Sequence, residues 1–121
     1  MKQKVHSVSY LAKAEFEFKI GEYDLVALPA GAEVVKVSLE VVGNPSSGNI
    51  KVGFKDETNK NYFLTLEDVA EDSSAYATSA KDYTATSNKV IVAKVENASG
   101  TDIKGVLRVL YFLPSVIEVE Y

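Results

Sequence analysis

A lone histidine, a short run of carboxylates and three loop tyrosines are the side chains with chemistry to offer in this sequence of 121 residues. His6 is the single histidine. A nucleophile and base pair would need a serine on a sharp turn beside it and a carboxylate behind it. No such nucleophile turn occurs in the chain, so His6 reads as a surface histidine and no catalytic residue is assigned. Glu67, Asp68, Glu71 and Asp72 carry the oxygen ligands that a hard cation prefers. Their spacing lacks the glycine and the alternating Asp/Asn pattern of a calcium loop, and they read as a solvated charged face. Cysteine is absent, which removes thiolate metal sites and disulfides. No metal or cofactor is expected. Tyr62, Tyr76 and Tyr83 fall in or beside loops, where their rings could stack on a sugar or on a partner's surface. Tryptophan, the largest stacking platform, is missing. Tyrosines at strand ends or in a protein interface are the simpler reading, with a surface glycan as the alternative ligand.

The elements that would position these groups are strands. Leu28 to Val42, LPAGAEVVKVSLEVV, organises the rest. Pro29 and Gly31 mark a turn, since proline presets one φ and glycine accepts a positive one. Val35, Val37, Leu39 and Val41 then alternate with Lys36, Ser38 and Glu40, the period of a half-buried strand. Ala14, Phe16, Phe18 and Ile20 alternate in the same way with charged residues, as do Ile50, Val52 and Phe54. Tyr23–Leu28, Tyr62–Leu66, Asn88–Val95, Ile103–Leu113 and Val116–Tyr121 are further strand segments. A turn of helix at most is expected near Asp68, and a short extended piece around Ala75–Lys81. Residues 43–49 and Asn97–Asp102 carry loop composition. The pattern predicts an all-β fold, an antiparallel sandwich or barrel of about eight strands. Residues 1–121 form one domain, with 1–10 an arm or edge strand.

The formal charge of −4 argues against nucleic acid, which needs a concentrated basic face. No apolar run approaches the roughly 20 residues of a membrane span, and nothing at the start resembles a signal peptide. A soluble protein made in the cytosol is expected.

Two strands break the one-wet-face rule of a sandwich. Val90 and Val92 oppose Ile91, Ala93 and Val95 in pleat; Val106, Leu110 and Phe112 oppose Leu107, Val109 and Tyr111. Apolar residues on both faces call for a second cover. The expected cover is another copy, docking on Val90, Val92, Val106, Leu110 and Phe112, with Lys104 and Arg108 as wet neighbours. The alternative is a loop folded over that face, and Glu67–Ser87 is long enough.

LPAGAEVVKVSLEV, SGNIKVGFKD and NYFLTLEDVA, within the span Ile20 to Leu113, resemble small jelly-roll proteins encoded among bacteriophage and prophage virion genes. The resemblance implies a jelly-roll β-sandwich and a non-enzymatic particle component: a head decoration, a fibre knob or a tail-associated piece. It also implies a homotrimer that contacts other virion proteins and binds no cofactor.

Overall fold

The computed structural model describes residues 2–43, 45–67, 76–114 and the backbone of 116–120, and all regular elements among them are strands. They are β1 (Lys2–His6), β2 (Ser9–Glu17), β3 (Gly21–Leu28), β4 (Glu33–Val42), β5 (Ser47–Phe54) and β6 (Leu64–Leu66). After these come β7 (Tyr76–Ser79), β8 (Tyr83–Thr84), β9 (Lys89–Ser99), β10 (Lys104–Phe112) and β11 (Val116–Glu120). The helical turn expected near Asp68 lies outside the described residues.

Two antiparallel sheets make a sandwich. One runs β2-β10-β4-β7, with β8 also on β4; the other runs β3-β9-β5-β6. The chain therefore passes between sheets at β2–β3, β3–β4, β4–β5, β6–β7, β8–β9 and β9–β10. β1 and β11 stand apart as a two-stranded ribbon. Phe54, Leu28, Leu39, Ile50, Ile91 and Leu107 are the largest side chains sealed between the sheets. No polar or charged side chain is buried among the described residues. The hydrophobic effect alone fills the interior.

Alternation in β4 holds for Val37, Leu39 and Val41, which are buried while Lys36 and Glu40 are exposed. At its start the inward residue is Val34, and Val35 is only half-buried. The register against β10 shifts between Leu110 and Tyr111, so one extra residue of β4 is accommodated there and the parity flips. Ile20 also departs from its expected inward position. β2 ends at Glu17, and Ile20 sits in the following turn with 70% of its surface exposed. Phe18 still reaches the core, its N–H bonded to the Ile103 carbonyl at 3.0 Å.

The apolar outer face of β9 is covered by the chain itself. Gly53 pairs with Val92 across β5 and β9, and a Cβ at Gly53 would lie 2.8 Å from the Lys60 carbonyl carbon and the Tyr62 nitrogen. The segment 55–62 therefore crosses over this row, and glycine makes its close approach feasible. Lys55 ties it to Asp24, and Lys89 to Asp56. Val92 is fully buried beneath it. The covering loop is thus 55–62, earlier in the chain than the Glu67–Ser87 stretch that length alone suggested.

Candidate functional site

The ribbon grows out of the first sheet. The β2–β10 ladder continues past its last pair through the Leu113 N–H donating to the Val8 carbonyl at 2.8 Å, and from there the chain enters β1 and β11. His6 Nδ1 lies 2.9 Å from the Leu113 carbonyl oxygen, so the lone histidine fastens the ribbon root. The register places Val5 opposite Ile117 and Gln3 opposite Val119, and Lys4 and Lys2 opposite Glu118 and Glu120. By parity Gln3, Val5, Ile117 and Val119 share one side of the ladder, and Lys2, Lys4, His6, Val116, Glu118 and Glu120 the other. Two strands alone are marginal in water.

Beside the ribbon root, the outer face of the first sheet is apolar. Leu11 pairs directly with Leu110, and Ser9 with Phe112. Leu11 is 63% exposed, Leu110 and Phe112 are half-buried, and Val35 is half-buried on β4. His6, Glu33, Val35 and Phe112 line a shallow depression between this face and the ribbon. Val5, Val8 and Tyr10 are exposed along the same edge. Further along the sheet the rows turn polar: Lys13, Arg108 and Ser38, then Glu15, Val106 and Glu40, with Arg108 paired to Glu40 at 3.3 Å. The apolar area is thus confined to the ribbon end.

The five residues expected to form one interface are not brought together. Val90 and Val92 belong to β9, on the outer face of the second sheet, and Val92 is sealed by the 55–62 segment. Val106, Leu110 and Phe112 belong to β10, on the outer face of the opposite sheet. Parity along a strand says which residues share a face, but not which sheet the strand joins. Val106 is itself only 6% exposed, between Glu15 and Glu40. Leu11, Val8 and Val5 complete the surface that β10 begins. Leu11 escaped notice because its alternation with Ala12 and Lys13 is weak; its direct pairing with Leu110 is the missing signal.

The tyrosines separate too. Tyr62 and Tyr83 pack with Phe54 and Phe63 at centroid distances of 4.5–6.5 Å, and Lys81 Nζ lies 3.8 Å over the Tyr62 ring. Their faces are spent on this cluster, which fastens the loops to the core. Tyr76 is 70% exposed on β7, opposite Glu40, whereas Tyr83 is opposite Val34. Six residue steps of β4, from Val34 to Glu40, separate those two positions, about 20 Å. The three tyrosines therefore form no common sugar platform. Of the acidic run, Glu67 alone is described; Asp68, Glu71 and Asp72 lie outside the described residues. Among the described residues no three metal-ligating groups converge.

The geometry is that of a two-sheet β-sandwich with an apolar area on the outer face of one sheet. No protein-family model matches the chain, and no curated protein matches it. Solved structures do. A chain of the acid-stable capsid structure of Helicobacter pylori bacteriophage KHP30 is 73% identical over 100% of both chains, with a TM-score of 0.93. A chain of the capsid asymmetric unit of cyanophage Pam1 is 24% identical over 88% of this chain and 85% of that one, with a TM-score of 0.68, a likeness of fold alone. The protein is a structural component of a phage virion. It belongs to the family of the KHP30 capsid chain.

Proposed function

We propose that this protein is a decoration subunit that sits on a phage capsid as a homotrimer and does not itself build the shell. The observation that carries this reading is the contiguous apolar face at the ribbon end, Leu11, Leu110 and Phe112, on a sheet whose further rows are polar. The sheet orders β2-β10-β4-β7 and β3-β9-β5-β6 follow the double Greek-key path of a jelly roll, a fold used by capsid proteins. Three copies closing around one axis would bury that face in a heterologous ring. The remaining contacts go to other virion proteins.

The test is to assemble particles with the gene for this chain deleted. Shells are expected to form with normal geometry and to rupture at a lower temperature than complete particles. Purified chain added back should restore the rupture temperature. Failure of any shell to assemble would mean that the protein is a shell subunit, and the decoration reading would fall.

The KHP30 capsid is described as acid-stable, and this chain is expected to share the property. Acid unfolds proteins by protonating carboxylates paired in the native state and by charging histidines buried neutral. Here no charged side chain is buried among the described residues. The Lys89 ammonium, hydrogen-bonded to Asp56 at 2.5 Å, holds the Asp56 carboxyl below its ordinary value. A depressed carboxyl stabilises the fold above its unfolded-state value, and that stabilisation is lost as pH falls through the folded one. Thermal unfolding is therefore expected to change little between pH 7 and about pH 5 and to decline modestly in stronger acid. Asp56→Asn should flatten that decline. A collapse of the wild-type midpoint near pH 5 would contradict the account.

A further inference from the structure

We propose that the trough on the outer face of the first sheet, between β10 and β7, binds an acidic saccharide, one pyranose ring that carries a carboxylate. β4 forms its floor. In register across three strands stand Arg108, Ser38 and Thr78, and the row beyond holds Glu40 and Tyr76. Val37 and Leu39 are buried, so by alternation these residues face away from the core. Ser38 and Thr78 are short, whereas Lys36, Arg108 and Tyr76 are long. The difference in length leaves a depression of about 230 Å³ among them. It starts at Lys36, in the row of Leu110, and runs away from the ribbon end, so it borders the apolar face without being part of it. Nothing in this placement depends on the homotrimer reading.

The groups that line the trough are idle within the chain. The side chains of Lys36, Ser38 and Thr78 make no hydrogen bond or ion pair among the described residues, and Tyr76, 70% exposed, has no ring contact there. A hydroxyl both donates and accepts, so the floor offers two groups that match the hydroxyls of a sugar. Arg108 and Glu40, paired at 3.3 Å, add donors and an acceptor at one end. The Tyr76 ring is a wall on which the C–H face of a pyranose can lie. At the other end Lys36 is a cation without a partner, and a charge-assisted bond to it selects a sugar bearing a carboxylate. Lys13, in register with Arg108, carries the same sign. Other ligand classes leave part of this set unused. A bare anion would need Lys36 and Arg108 but neither the hydroxyls nor the ring. Nucleic acid needs a concentrated basic face, and the chain carries a net charge of −4. An extended peptide would add to a strand edge through backbone groups, not lie on a sheet face.

D-glucuronate is the probe, with D-glucose and acetate standing for its two halves. Titrated into the isotope-labelled full chain, glucuronate is expected to move the amide resonances of Ser38, Thr78 and Arg108 and to saturate. Glucose and acetate should each bind roughly tenfold or more weakly, since each lacks one set of contacts. Two substitutions at exposed positions separate the roles. Lys36→Met should bring glucuronate down to the affinity of glucose and leave glucose itself unchanged. Tyr76→Ala should weaken both sugars by a similar factor, with an unchanged far-UV spectrum. Raised salt should weaken glucuronate alone. Acetate binding as tightly as glucuronate would make the trough a simple anion site and overturn the inference. Shifts confined to other residues, or none with glucuronate in large excess, would overturn it as well. The light-scattering mass of the same samples reports the homotrimer separately. A single-chain mass with binding intact removes the homotrimer and leaves the saccharide site standing; a three-chain mass without binding does the reverse.

Discussion

Val109→Asp is expected to leave the chain unfolded, whereas Leu110→Asp, one residue further on, is expected to leave it folded and monomeric. Val109 is fully buried between Ala12 of β2 and Val37 of β4. Its replacement forfeits roughly 1.5–3 kcal/mol of apolar burial. It also places a carboxylate where no cation or donor waits, at a further cost of several kcal/mol. Against a total stability of about 5–15 kcal/mol, that sum is decisive. Leu110 points the other way, onto the half-exposed face beside Leu11 and Lys36. Aspartate there is hydrated in the monomer and desolvated only on association, so it penalises the assembly and spares the fold. Far-UV circular dichroism and light scattering separate the two outcomes. A folded Val109→Asp would mean that β10 turns its other side inward; a Leu110→Asp variant that keeps the wild-type mass would remove this face from the interface.

That contrast also shows how far the sequence could be read. Parity along β10 was legible because Leu107, Val109 and Tyr111 differ from Lys104 and Arg108 in polarity, and those three came out buried, although Val106 on the other side is buried too, between Glu15 and Glu40. The strand's neighbours were not legible. Val90 and Val92 look like companions of Val106 and Leu110 in pattern, yet they lie on the other sheet. What covers Val92 depends on Gly53 letting residues 60–62 approach, a tertiary contact with no periodicity of its own. The same holds at Val35, where a bulge shifted the alternation by one residue. The ribbon was hinted at by an arm-like 1–10 segment and an alternating Val116–Tyr121 segment. That the two would pair with each other is a consequence of the β2–β10 ladder running on.

Gly31→Val is expected to cost more than strain alone, because two independent constraints meet at this residue. Gly31 has a φ of 87°, in the region that β-branched side chains avoid, worth on the order of 1–3 kcal/mol. Its N–H donates to the Ala85 carbonyl at 2.6 Å, and the adjacent Ala30 N–H to Asn88 Oδ1 at 3.0 Å, so the turn cannot relax outward without losing both bonds. From the sequence, backbone strain alone would rank valine worst, alanine next and asparagine least costly. The structure adds Pro114, whose Cβ would stand 2.7 Å from any Cβ at this position. Asparagine tolerates the left-handed backbone but still carries that carbon, so Gly31→Asn and Gly31→Ala should be destabilised to similar extents, with Gly31→Val well beyond them. Denaturant unfolding of the three variants tests the ranking, and a double-mutant cycle with Pro114→Gly isolates the contact. The cost of Gly31→Ala should fall when Pro114 is removed; an unchanged cost would leave φ as the sole constraint. Because Pro114 stands at the ribbon root, Gly31→Val should also displace the ribbon.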